Sequence, residues 1–190
     1  MTRPRLALLN ASYDDANTSR NFRRELAADL AEFDVTEGEL PSDFEYDGVV
    51  VTGSKASVYW DQPWIAALLD WVESAVERDV PHLGERFVVF TTHQDAVTEL
   101  PPGARPTAEN EYSNHGFERG RVFTVQFHPE YDMRTAESVT RGKDLEPEKI
   151  NAALESITEA NYAAACEAKR LFDTFTRFVS ELQADEPRTV

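Results

Sequence analysis

Residues Asp47-Gly48-Val49-Val50-Val51-Thr52-Gly53 set three consecutive valines between two glycines. β-Branched side chains favour extended backbone, so such a run bounded by glycine reads as a strand. It lacks polar alternation, the pattern of a strand covered on both faces in a parallel sheet. Working outward supplies its partners. Upstream, Arg5–Leu9 (RLALL) is a short buried strand and Phe33–Thr36 is another. Between these two, Thr18 and Ser19 offer N-caps for a helix running to Leu30, with Phe22, Leu26 and Leu30 as its buried stripe. Downstream, Asp61 caps and Pro63 opens a helix whose Ile65, Leu68, Leu69, Val72 and Val76 share one face. Val80–Gly84 (VPHLG) then reads as a strand. This alternation of strands and helices predicts a parallel sheet with crossover helices.

The pattern changes beyond that point. Phe87–Thr91 and Arg121–Phe127 read as strands with no long helix between them, and Pro101, Pro102, Gly103 and Pro106 mark loops. This part is expected to be antiparallel or an edge of the sheet. From Pro147 onward the chain reads as helix, with Leu154, Ile157, Ala164, Ala168, Leu171, Phe175, Phe178 and Leu182 at three- and four-residue steps. Ala184–Val190 reads as a frayed tail. The expectation is a single three-layer α/β domain over residues 1–183, flavodoxin-like, with a mostly parallel sheet and a long C-terminal helix.

Charge narrows the function. Thirty-five acidic residues stand against 19 basic ones, a net charge of −16, and the only lysines are Lys55, Lys143, Lys149 and Lys169. Such a surface repels phosphate backbones, which excludes a nucleic-acid partner. The acids are dispersed through periodic segments rather than gathered in a tail, which fits a protein kept soluble in high salt. No apolar run is long enough to span a bilayer, and the N-terminal apolar run of RLALL is too short for a signal-peptide core. A cytoplasmic protein is expected. The single cysteine, Cys166, excludes an internal disulfide and suits a reducing compartment.

The residues that carry chemistry cluster in Val125-Gln126-Phe127-His128-Pro129-Glu130. A strand delivers an imidazole and, two residues on, a carboxylate that can fix its tautomer and leave the second ring nitrogen as a base. Thr52-Gly53-Ser54-Lys55-Ala56-Ser57-Val58-Tyr59 follows the valine strand, and glycine there lets backbone N–H groups turn toward an oxyanion. Thr92-His93-Gln94-Asp95-Ala96-Val97 follows another strand.

In this order the segments resemble class I glutamine amidotransferases, most closely the subunit or domain that feeds GMP synthase. The TGSKASVYWD segment resembles the family's glycine loop, THQDAV its SHxDxV motif, and QFHPE the end of the motif carrying its catalytic pair. The NYAAACEAKRLFDTF segment is similar to members from salt-adapted archaea. The resemblance implies catalytic roles for His128 and Glu130, an oxyanion or substrate loop at Gly53 and Ser54, and pocket positions for His93 and Gln126. It implies glutamine as the small-molecule ligand, a synthetase subunit as partner and no cofactor. One departure is large. In the family the VPHLG strand runs into a GxCxGxQ nucleophile elbow, whereas here Gly84 is followed by Glu85-Arg86-Phe87 and no such motif occurs. An internal segment is expected to be missing after Gly84. That loss would bare an apolar patch and favour a homo-oligomer or covering subunit.

Cys166 lies on the C-terminal helix beside Glu167, a poor setting for a thiolate, so it is not expected to replace the nucleophile. Ser54 and Ser57 read as turn and helix caps. Four histidines, His82, His93, His115 and His128, show no metal-binding spacing. His82 and His115 read as strand-end or surface residues, and no metal is expected. Trp60, Trp64 and Trp71 read as core and rim. Two functions follow: a glutaminase domain supplying ammonia to a synthetase, inactivated by loss of its cysteine, or a non-catalytic binding or regulatory module. A shortened gene product is the third possibility.

Overall fold

The computed structural model describes residues 3–13, 15–57, 59–75, 89–93 and 95–185. It divides into two compact units, Met1–Val76 with Phe172–Val190, and Glu77–Leu171.

In the first unit, β1 (Arg5–Asn10) is the middle strand of a parallel sheet, with β2 (Asp29–Asp34) on one side and β3 (Gly48–Val51) on the other. Its residues 6–9 are fully buried because each face is covered. Leu6 and Leu8 pack with Phe22, Leu26 and Ala28, and with Phe172 and Val179 of the last helix. Ala7, Leu9 and Ala11 pack on the opposite face with Val35, Val49, Trp64, Leu68 and Trp71. Period-two alternation of a wholly apolar strand therefore serves two helical layers at once. Gly48 is required by this packing. A Cβ there would stand 3.0 Å from Leu6 Cδ2 and 3.1 Å from Val179 Cγ2.

Helix α1 spans Ala16–Glu25, not the expected stretch to Leu30, and its N-cap is Asp15 rather than Thr18 or Ser19. The Asp15 carboxylate accepts from the Asn17 N–H, and Leu26 is already extended. Leu30 belongs to β2, opposite Leu6, so β2 begins well before Phe33. Phe22, Leu26 and Leu30 have the spacing of one helical stripe, yet their side chains reach the same core from different elements. Glu32 ties β2 to α1: it accepts from Asn10 Nδ2 at 2.8 Å, Ser19 Oγ at 2.8 Å and the Arg23 guanidinium at 2.7 Å. Burial pushes its pKa up, but the bonds from Ser19, Arg23 and Asn10 and the Arg23 charge outweigh that and hold it below the usual carboxylate value.

Helix α2 spans Pro63–Ala75 and opens on proline as expected. Ile65 is buried, and Trp64, Leu68 and Trp71 pack on the sheet, but Leu69 is exposed. The indole rings, not Leu69, fill that face. Trp60 is half-exposed.

The second unit carries an antiparallel meander of β4 (Arg105–Glu109), β5 (Asn114–Arg119) and β6 (Val122–Val125). The strand expected at Arg121–Phe127 is thus present, slightly shorter. Pro106 sits inside β4 rather than in a loop. Among the described strands β4 is an edge, where a missing N–H costs no ladder bond. The Val80–Gly84 strand and the Gly84–Glu85 junction lie outside the described residues, as do Phe87 and Val88; Val89–Thr91 forms no strand. Helix α3 (Met133–Arg141) was not foreseen; the Asp132 side chain caps it through the Thr135 N–H.

The C-terminal region is helical from Pro147. Helix α4 is Pro147–Ser156. After a break at Ile157 and Thr158, a run of α5 (Glu159–Ala165), a tight turn at Cys166–Lys169 and α6 (Arg170–Asp185) forms the long C-terminal helix. Its buried positions are Ala168, Phe172, Thr176 and Val179, while Ala164 is exposed. Helix α6 takes up Ala184 and Asp185, and the rest of the expected tail lies outside the described residues.

Candidate functional site

The chain leaves β6 at Val125, and three residues later His128 is pinned by its own N–H, which donates to the Phe90 carbonyl at 2.9 Å. Its Nδ1 lies 2.9 Å from Glu130 Oε1. An ionised carboxylate only accepts, so the bond fixes the proton on Nδ1 and leaves the lone pair on Nε2. Glu130 is buried and His128 half-buried. Tyr131 stacks on the imidazole at 4.3 Å between centroids, and Phe90 packs against Tyr131 at 5.4 Å. The ring is therefore held by a carboxylate at one edge and an aromatic face beneath it. That arrangement can present an oriented base.

A cavity of about 220 Å³ adjoins this pair, lined by Phe90, His128, Tyr131, Ile157, Tyr162 and Lys169 among others. It is smaller than the pockets that hold drug-sized ligands, of roughly 300–1,000 Å³, and suits a small metabolite. The Lys169 ammonium lies 5.9 Å above the Tyr162 ring. Tyr131 and Phe90 were not foreseen as site residues, although Tyr131 follows Glu130 directly.

His93 and Gln126 are brought together, by a backbone group. Gln126 Nε2 donates to the Asp95 carbonyl at 2.8 Å, and His93 Nδ1 lies 2.9 Å from the same oxygen. His115 completes the cluster, with its ring 5.0 Å from that of His93. His115 takes the strand-end setting of the two expected and not the surface one: it is the second residue of β5 and only 5% exposed. Burial first, and the neighbouring His93 charge second, lower its pKa. His82 and Gln94 lie outside the described residues.

Gly53 and Ser54 belong to the first unit. Thr52 Oγ1 accepts from the Ala11 N–H at 2.9 Å, anchoring the loop's start to β1. Ser54 Oγ accepts from the Ala56 N–H and Ser57 Oγ from the Tyr59 N–H, so both hydroxyls serve the turn. Cys166 is partly buried at the start of its tight turn. Among the described residues no three His, Cys, Asp or Glu side chains gather as a metal cluster, and no helix is long and apolar enough to cross a membrane.

Residues 72–143 match the class I glutamine amidotransferase family, a span that contains His93, Gln126, His128 and Glu130 but neither Gly53 nor Cys166. The backbone is similar to that of a glutamine amidotransferase from Thermotoga maritima, with a TM-score of 0.65 at 18% identity over 98% of this chain and 100% of that one. It is also similar to one from Methylobacillus flagellatus, with a TM-score of 0.56 at 16% identity over 97% of this chain and 94% of that one. The fold is that of the class I glutamine amidotransferases. Within that fold the matched span is the one holding the His128–Glu130 pair, so sequence likeness and site geometry meet on the same residues.

Proposed function

We propose that this chain is a glutamine amidotransferase-type domain of the kind that serves GMP synthase, working in high salt, which keeps the family's base and orienting carboxylate but no thiolate to use them. It acts as a glutamine-binding or regulatory module rather than as a glutaminase. The supporting observation is the His128–Glu130 bond of 2.9 Å in a chain whose only cysteine is Cys166. Glutamine hydrolysis through a thioester needs a sulfur within bonding reach of the base. Cys166 makes no hydrogen bond with His128, and although Ala165 and Lys169 line the cavity, Cys166 does not. Losing the nucleophile of such a set leaves only binding and oxyanion effects. Gly53 and Ser54 remain the proposed oxyanion loop, and His93 and Gln126 the proposed pocket wall. A shortened gene product is tested by sequencing the locus between Gly84 and Glu85.

The discriminating experiment incubates the purified chain with glutamine in high salt and measures ammonia. No release, together with a calorimetrically detected glutamine or synthetase complex, is the expected result. Ammonia release abolished by His128→Ala would overturn the non-catalytic reading.

A further inference from the structure

His93 and Gln126, the proposed pocket wall, gather with His115 in a cluster that carries unpartnered polar groups. Among the described residues, His115 Nε2 and Gln126 Oε1 are both buried without a hydrogen-bond partner. An orphaned buried polar atom costs about 1–3 kcal/mol, so two in one cluster call for an explanation. The identity of the Gln126 atom is fixed by its other bond. Gln126 Nε2 donates to the Asp95 carbonyl, so the unpartnered atom is the amide oxygen. The Gln126 N–H also donates to the His115 carbonyl at 2.8 Å, which locks the two residues side by side across β5 and the chain leaving β6.

His93 has the complementary arrangement. A carbonyl oxygen can only accept, so the bond to Asp95 O places the proton on His93 Nδ1 and the lone pair on Nε2. A backbone carbonyl on one ring nitrogen is the usual outer support of a metal-binding histidine. Spacing agrees. With metal–nitrogen bonds of about 2.0–2.1 Å and near-tetrahedral angles, two imidazoles on one ion have centroids about 5 Å apart. The observed separation is 5.0 Å, with the rings inclined at 72°.

We infer that His93, His115 and the Gln126 amide oxygen form a binding site for one divalent transition-metal ion, with water in the remaining position on the exposed His93 side. Imidazole nitrogen with a single neutral oxygen favours borderline ions such as Zn²⁺, Co²⁺, Ni²⁺ or Cu²⁺ over Mg²⁺ or Ca²⁺. The site is distinct in residues from the His128–Glu130 pair and does not depend on that pair being active.

The test titrates the full chain with Co²⁺ at neutral pH in high salt, which screens weak binding to surface carboxylates. Visible absorption reports tetrahedral Co²⁺, and Zn²⁺ competition gives its affinity. One Co²⁺ per chain, displaced by Zn²⁺ but not by excess Mg²⁺, is expected. His93→Ala, an exposed change that leaves the fold intact, weakens binding at least tenfold. Gln126→Glu, which replaces the neutral oxygen by a carboxylate, strengthens it, and His128→Ala leaves it unchanged. Absence of a Co²⁺ spectrum, displacement by Mg²⁺, or a His93→Ala affinity equal to the parent's would overturn the inference.

Discussion

Removing the Glu130 carboxylate tests the geometry on which the functional reading rests. In the parent, Glu130 Oε1 lies 2.9 Å from His128 Nδ1, and the carboxylate is buried. A hydrogen bond to a charged group contributes about 1.5–3 kcal/mol, the upper part applying to buried partners. At about 1.4 kcal/mol per tenfold, that biases the neutral imidazole toward the Nδ1–H form by roughly 10- to 150-fold over the ring without its partner. In Glu130→Ala the bias is lost and both neutral tautomers are populated. Tyr131 still stacks on the ring, at 4.3 Å, so its position is kept while its proton moves. The assay is a long-range ¹H–¹⁵N correlation spectrum of histidine-labelled protein at a pH where His128 is neutral. The parent is expected to show a protonated Nδ1 and a bare Nε2, and Glu130→Ala a mixture. A parent spectrum with the proton on Nε2, or a tautomer ratio indifferent to Glu130→Ala, would refute the claim that Glu130 orients the base.

Two further outcomes concern the scaffold. Glu32→Gln should cost about 1–2 kcal/mol at neutral pH, since the charge-assisted bond from half-exposed Arg23 is partly screened. Because the folded pKa of Glu32 is depressed, the stability it contributes is present above the unfolded carboxylate pKa and fades as pH falls toward the folded value; parallel denaturant titrations at neutral and acid pH should show the parent–mutant gap closing. Gly48→Ala should destabilise by about 1–3 kcal/mol through overpacking against Leu6 and Val179, read as a shift of the denaturation midpoint at unchanged slope. An unaltered midpoint would show that the sheet and helix part at no cost.

The two core faces of β1 were legible in advance, because an uninterrupted apolar strand has only one stable setting, between two covering layers. So was the His128–Glu130 bond, because two residues of separation with proline between them leave the side chains little choice of partner. The limits of α1 were not legible. Leu26 and Leu30 keep a helical spacing by coincidence, one at a helix end and the other in the next strand, and only the closed core shows this. Strand β4 hid behind Pro106, since proline is forbidden in a central strand but not at an edge, and edge status is a property of the sheet.

The sequence by itself determined the layered α/β character, the strong negative charge and the pairing of His128 with Glu130, all of which depend on composition or on neighbours along the chain. Only the tertiary structure decided that His115 is buried beside His93, that Gln126 reaches Asp95, and that Tyr131 supports the catalytic-type imidazole. The first two contacts join residues 22 and 31 positions apart, the third joins ring faces whose direction is set by packing, and no local pattern encodes them.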